Sequence, residues 1–587
     1  MSIELSRIAS LLEKLVKIPT YTVLGYTSDY LVYVSNKSGV TSIWLYDTKT
    51  GHEVEAIRGP VSGVFRIRFE KPYIIYTRDV ARGREQHKVY IYSATSKSTI
   101  ELSMEPMRVF SGALDEDRIV FTGATMKDIS LYMAKLDGSV EKLAVLNKIV
   151  LATDINRNYI VGYGYLRGDP RSTELFIYDL SSNEYKIYTL KPGTTNTYPL
   201  FKPGTNRIVF RSDYEGTQKL YYYDIDEDKL EELVYSYKDI YDYKPVEISG
   251  YDWSDQGKLW VIGSREGRSK LFLDGREVKS PTGTISGAVV VGDYAYFSHS
   301  SLVEPPKIYR ASIVNSSLEV LIDNPLSSDI REAIGEREHV WYKSRDGLDI
   351  PMYIIYSRQA GKPGPTVVYI HGGPWSLVSD SWRTSIAALV ASGYHVLAPN
   401  FRGSTGYGEE FRKLDIGDPG GGDLWDIVYA REYGIEKGIV DPGRVAVMGY
   451  SYGGYMTLLA LGKHPDLWRC GVAGASVVDW EEMYSLSDAL FREFIDTLFD
   501  KKHELFRERS PITYAENIKA PLCIIHPQND TRTPLKPVLK LMDKLLASGK
   551  SFEAHIAPDM GHVINTIEDA IKILLPALLF LEKHLKQ

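Results

Sequence analysis

The chain has 587 residues, more than a single hydrophobic core serves, so at least two domains are expected. With 44% hydrophobic residues, 25% charged residues and a net charge of −7, its composition is that of a soluble globular protein. It lacks the clustered Lys and Arg of a nucleic-acid binder, and no apolar run approaches the roughly 18 residues of a membrane span, so neither partner is expected.

The chain opens with MSIELSRIASLLEKLVKI, an amphipathic helical pattern interrupted by Glu4, Arg7, Glu13, Lys14 and Lys17. That is not the unbroken apolar stretch of a secretory signal. Residues 1–23 are expected to form a helix whose apolar face packs on the carboxy-terminal domain.

From about residue 24 to 325 the pattern is strands and turns. One strand type keeps returning: IWLYD from Ile43, VYIYS from Val89, LYMAK from Leu131 and LFIYD from Leu175. LYYYD from Leu220, LFLDG from Leu271 and IYRAS from Ile308 continue it, with starts 37 to 51 residues apart. Seven returns at this period predict a seven-bladed β-propeller, since a β-sandwich gives no reason for so regular a recurrence. Asp224-Ile-Asp226-Glu-Asp228 imitates the start of a calcium loop, but Lys229 stands where that loop needs glycine, so a polar turn is expected. No metal and no cofactor is implied.

After NPLSSDIREAIGEREH the periodicity changes. Across residues 326–587 apolar strands (TVVYI, HVLAP, RVAVM, PLCIIHP, FEAHIA) alternate with helix-length amphipathic segments. This predicts a doubly wound, mostly parallel sheet of the α/β-hydrolase type, with ligands gathering at the carboxyl ends of its strands. The only cysteines, Cys470 and Cys523, lie in apolar stretches there, as buried thiols or as one disulfide. Such sparse use fits a reducing cytoplasm. Rare Gln and 42 Tyr are compatible with a thermophilic source.

Gly449-Tyr450-Ser451-Tyr452-Gly453 stands between the strand RVAVM and the helix YMTLLALG, the context a nucleophile elbow requires. Ser451 is the expected nucleophile. Its partners should follow as acid, then histidine. His562 sits in a loop after the last strand, whereas His464, His503, His526 and His555 fall in helices or strands. Asp530 closes the strand PLCIIHP at the carboxyl edge, whereas Asp466, Asp488 and Asp496 lie in helical segments and Asp559 is too near His562 in the chain. A serine hydroxyl is a poor nucleophile unless an imidazole takes its proton, and a carboxylate must orient that imidazole. The oxyanion needs two N–H donors, expected from Tyr452 and from Gly373 in His371-Gly372-Gly373-Pro374.

Taken in order, HGGP, NFRGSTGYG from Asn400, GYSYGGYM, PQNDTRTP and PDMGH resemble the prolyl oligopeptidase family of serine peptidases. GASVVDWEEMY and EAHIAPDMGH most resemble its archaeal acylaminoacyl peptidases. The resemblance implies release of N-acylated amino acids from short blocked peptides, accompanying esterase activity, and a homodimer or larger assembly. It implies that Arg532 holds a substrate carbonyl or carboxylate, that Trp480, Phe491 and Phe494 line a specificity pocket, and that Glu85, in REQH, faces Arg532. The paired glutamates with which dipeptidyl peptidases of the family grip a free α-amino group are not evident. A broader oligopeptidase or a carboxylesterase on the same triad stays open. So does a binding protein with an inert hydrolase half, although such relatives usually lose a triad member or an elbow glycine.

Overall fold

The structure, a computed structural model, describes residues 2–586 apart from 70, 234–242 and 245. Residues 21–322 form seven four-stranded antiparallel sheets, each built from four consecutive strands. The strand that recurs in the sequence is the third of every blade, from Ser42–Asp47 and His87–Ser93 through to Glu304–Ser312. This strand lies between two others and under the faces of neighbouring blades. In Glu174–Asp179 five of six residues are buried, so both faces must be apolar and the strand reads as a continuous run. The outer, fourth strands, such as Glu184–Tyr188, are largely exposed and polar.

The first strand begins at Tyr21, three residues before the expected start, because the in–out alternation of Tyr21–Thr27 reaches back through Val23 and Tyr21. Among the described residues no strand is shared between the first and last blades. The ring closes instead through contacts such as the Val23 N–H to Ser298 Oγ bond at 3.1 Å.

Inside the ring, Arg66 of the second blade donates from Nη1 to Asp154 of the fourth at 2.7 Å and from Nε to Asp252 of the sixth at 2.8 Å. Arg68 bonds the second oxygen of Asp154. These blades are not neighbours, so the side chains meet across the ring and bridge its central channel.

The second domain is an eight-stranded sheet: β1 Ile334–Lys343, β2 Asp349–Ser357, β3 Gly364–Ile370, β4 His395–Pro399, β5 Val440–Tyr450, β6 Cys470–Gly474, β7 Leu522–Pro527 and β8 Phe552–Ala557. Its order is β1-β2-β4-β3-β5-β6-β7-β8, antiparallel through the β2/β4 pair and parallel from there on. Strands β3, β4, β6 and β7 are buried almost throughout, as expected of a sheet covered by helices on both faces.

The amino-terminal helix Ser2–Val16 buries Ile8, Leu12, Leu15 and Val16 in one core with Leu574, Leu578 and Leu581 of the last helix. Cys470 and Cys523 are both free and buried, and burial pushes each thiol up to about 12. Among the described residues no helix is long and apolar enough to cross a membrane.

Candidate active site

Ser451 caps the helix Tyr452–Lys463 at the end of β5, with φ +61°. A turn this tight brings backbone onto backbone. A Cβ on Gly449 would lie 2.4 Å from the Gly453 carbonyl, and one on Gly453 would lie 2.1 Å from the Ile370 oxygen. Glycine at both positions is therefore a steric requirement, and the Ser451 N–H is anchored on the Gly474 oxygen at 2.9 Å.

His562 and Asp530 come to this serine from loops after β8 and β7. The Ser451 hydroxyl lies 3.0 Å from His562 Nε2, and His562 Nδ1 lies 2.7 Å from Asp530 Oδ2. With Nδ1–H donated to the carboxylate, Nε2 is the basic nitrogen that faces the hydroxyl. The other carboxylate oxygen, Oδ1, accepts the N–H groups of Arg532 and Thr533, each at 2.9 Å. Burial by itself would raise the pKa of Asp530. The charge and hydrogen bond of His562 outweigh it and hold the group below the ordinary carboxylate value. The Tyr450 hydroxyl donates to the His562 carbonyl at 2.9 Å, fixing the histidine loop.

The His371–Pro374 loop passes beside the serine, where a Cβ on Gly372 would lie 3.3 Å from Ser451 Cβ. His371 is buried, bonded to the Gly372 oxygen and to Ser404 Oγ, and burial lowers its pKa to about 3. It is a neutral strut for this loop. The Tyr452 N–H belongs to the first turn of its helix, where N–H groups have no intrahelical acceptor.

A propeller loop presses on both catalytic loops. The Asp79 carboxylate shapes it by accepting the N–H groups of Ala81, Gly83 and Gln86. Asn529 Nδ2 donates to the Arg82 carbonyl at 2.8 Å, and a Cβ on Gly561 would fall 1.9 Å from the Gly83 oxygen. From the same loop Glu85 meets Arg532: Nε donates to Oε2 at 2.8 Å, and Nη2 to Oε1.

Arg108 bonds the same carboxylate. Its Nε also donates to Asp488 at 2.5 Å, and its Nη2 to Thr531 Oγ1 at 3.0 Å. Two propeller residues and two catalytic-domain residues thus form a charge-balanced cluster between the domains. Sequence reasoning missed Arg108 altogether and considered Asp488 only as a catalytic acid. A lone arginine in an apolar strand carries no motif, and its carboxylate partners lie 23 and 380 residues away in the chain.

Between the domains lies a cavity of about 700 Å³, walled on the hydrolase side by Leu490, Phe491, Arg532, Val563 and Asn565; the side chains of Ser451, Asp530 and His562 do not line it. Phe65, Phe110, Tyr198, Leu490 and Phe491 contribute to its apolar wall, and Arg108 and Arg532 to its polar end. Phe494, expected beside Phe491 in a pocket wall, is not among the residues lining this cavity; it packs edge-on against Trp375, with centroids 5.4 Å apart. Trp480 requires a correction. Only 1% exposed, it is wedged edge-on against Tyr455 and Phe499 in the core and does not line this cavity. Its helix follows β6 as the sequence indicates, but the ring turns inward, where its large apolar surface is covered by the core.

Residues 379–587 match the prolyl oligopeptidase family, and residues 32–309 match the N-terminal domain of acylamino-acid-releasing enzyme-like proteins. The carboxy-terminal domain thus belongs to the prolyl oligopeptidase family. Among curated relatives, it is similar to the uncharacterized peptidase YuxL of Bacillus subtilis, 31% identical over 337 residues, covering 53% of this chain and 49% of that one. It is also similar to the acylamino-acid-releasing enzyme of Arabidopsis thaliana, 28% identical over 303 residues, covering 49% of this chain and 38% of the relative. The matches thus span about half or less of the length of these relatives. Two solved structures share the fold over nearly the whole of both chains. A Mycobacterium tuberculosis puromycin-hydrolyzing peptidase superposes with a TM-score of 0.82 at 16% identity, covering 98% of this chain and 96% of that one. The Pyrococcus horikoshii acylaminoacyl peptidase superposes with a TM-score of 0.72 at 20% identity, covering 98% of each. Both structures thus share the two-domain fold of this chain.

Proposed function

We propose that this chain is a serine peptidase that releases N-acylated amino acids from the blocked amino terminus of short peptides, with accompanying esterase activity. Ser451 Oγ gives its proton to His562 Nε2 and attacks the scissile carbonyl carbon. The resulting oxyanion takes N–H bonds from Tyr452 and Gly373, and the Asp530 carboxylate stabilises the imidazolium. When the tetrahedral centre collapses, the imidazolium protonates the departing amine and Ser451 is left acylated. Water, deprotonated by the same imidazole, then attacks the ester and returns the serine. Arg532 holds a substrate carbonyl from the polar end of the cavity.

The observation that carries the preference for blocked termini is the state of Glu85. A peptidase that grips a free α-ammonium needs an unspent carboxylate, and Glu85 is bracketed by two guanidiniums. The other cavity carboxylates are engaged as well, Asp79 by backbone N–H groups and Asp252 by Arg66. An incoming ammonium would meet Arg108 and Arg532 instead. The volume of the cavity, enough for several residues, favours one second reading: an oligopeptidase with broader tolerance on the same triad.

The deciding experiment compares kcat/KM for one peptide with and without an N-acetyl group. The acetylated form should be cleaved at least about tenfold faster, a difference of about 1.4 kcal/mol in transition-state binding. Equal rates would remove the case for an acylaminoacyl specificity.

A further inference from the structure

Thr533, 3% exposed, sets its side chain directly against two members of the candidate triad. Its hydroxyl lies 2.9 Å from Asp530 Oδ2, 3.0 Å from the Ala475 carbonyl and 3.5 Å from His562 Nδ1. Its N–H donates to Asp530 Oδ1 at 2.9 Å, and its carbonyl sits 2.8 Å from His526 Nε2. Ala475 lies directly after Gly474, whose oxygen anchors the Ser451 N–H, and it is held at φ +42°.

We propose that Thr533 is a positioning residue for the reaction: its hydroxyl, donating to Asp530 Oδ2, fixes the carboxylate oxygen that orients His562. A hydroxyl has one proton to give and two lone pairs. Two acceptors within 3.0 Å compete for that proton, so it resides on Asp530 Oδ2 or on the Ala475 oxygen. With the proton on Asp530, the carboxylate is held at both oxygens and cannot rotate about its C–C bond. Without it, Oδ2 is held by His562 alone, and the imidazole loses the reference that keeps Nε2 on the Ser451 hydroxyl. The charged or titratable groups around this carboxylate are His562, His526, Arg532 and Tyr450. Among the described residues only His562 and Thr533 bond Oδ2.

The inference rests on the proposed triad. The test therefore begins with labelling of wild-type Ser451 by a fluorophosphonate, whose failure would count against the triad itself. Thr533→Val keeps the shape and removes the hydroxyl, and Thr533→Ser keeps the hydroxyl. On an N-acetyl peptide anilide, Thr533→Val should lose about 10- to 100-fold in kcat with little change in KM, as expected when a catalytic group is misplaced. Thr533→Ser should stay within about threefold of wild type. The acid limb of kcat/KM should move to higher pH in the valine variant, because a carboxylate with one donor fewer stabilises the imidazolium more. A merely structural role would leave that limb in place. Should the valine variant not fold, Thr533→Ala, which adds no methyl group against the carboxylate, carries the same expectation. Wild-type kcat with an unshifted acid limb, or a serine variant that falls as far as valine, would overturn the proposal.

Discussion

The Glu85 carboxylate, on the propeller, holds the Arg532 guanidinium, on the catalytic domain, in a two-bond fork, with Arg108 bound to the same carboxylate from the propeller side. The side chain of Glu85 is 9% exposed and that of Arg108 is 5%, so removing one member leaves its partner charged and poorly solvated. Arg532, 36% exposed, is better screened.

Glu85→Ala and Arg532→Ala should therefore be non-additive. A double-mutant cycle in unfolding free energy and in peptide kinetics should return a coupling of about 1 kcal/mol or more. Hydrolysis of p-nitrophenyl caprylate, which is too small to need the clamp, should change much less than peptide hydrolysis. Additivity within about 0.3 kcal/mol would show that the pair does not act as a clamp.

The same pair predicts an acid sensitivity. Burial opposes ionisation of Glu85, but Arg532 and Arg108 prevail and lower its pKa from 4.5 to about 2. A carboxylate with a depressed folded-state pKa stabilises the fold above its unfolded value, and the contribution fades as the pH falls through the folded one. The stabilisation should be complete above pH 4.5 and drain away between 4.5 and about 2. Thermal unfolding of wild type and Glu85→Gln should show a gap that is constant above this window and narrows within it. A gap that widens on acidification would contradict the assignment.

For the triad, Ser451→Ala, His562→Ala and Asp530→Asn should each fold and lose about 10³ to 10⁶ in turnover. A fluorophosphonate should modify Ser451 alone. Full activity in Asp530→Asn would exclude Asp530 as the orienting acid.

Contact between Gly83 and Gly561 makes the propeller part of the histidine loop's mould. Gly561→Ala would place a methyl group 1.9 Å from the Gly83 oxygen, which only a shift of one loop relieves. Peptide kcat should fall about tenfold or more while the far-UV spectrum stays unchanged. Unaltered kcat would mean that the loops do not bear on one another.

Size selection follows from the Arg66 bridge. With Arg66, Asp154 and Asp252 bridging the ring, long or folded chains should be hindered on the axial route to the interdomain cavity. Casein should be cleaved far more slowly per bond than its short peptides. Arg66→Ala should raise the rate on long peptides relative to short ones. Equal wild-type rates on casein and on a five-residue peptide would remove the filter.

Local rules made much of this molecule legible from residue order. The seven blades announce themselves because the third strand of each packs between two others and keeps a short apolar run. The elbow is readable because a strand-to-helix turn that tight admits only glycine at Gly449 and Gly453. Asp530 and His562 stand out by chain order and by their place at strand ends. The two thiols were left between two states, since pairing depends on geometry that spacing does not encode.

Tertiary structure alone decided what surrounds those residues. Arg108 meets Asp488 across 380 positions, and Arg532 meets Glu85 across 447, separations at which no periodicity carries information. Trp480 has the composition of a pocket wall and the position of a core residue, because which face of a short helix turns inward is settled by what packs on it. Arg66 reads as one more surface arginine until the ring closes and brings Asp154 and Asp252 to it. Sequence by itself determined the elements and the order of the candidate catalytic groups, because steric and hydrogen-bond rules act between near neighbours. The charges that join the two domains were decided only by folding, because a charge finds its partner through space.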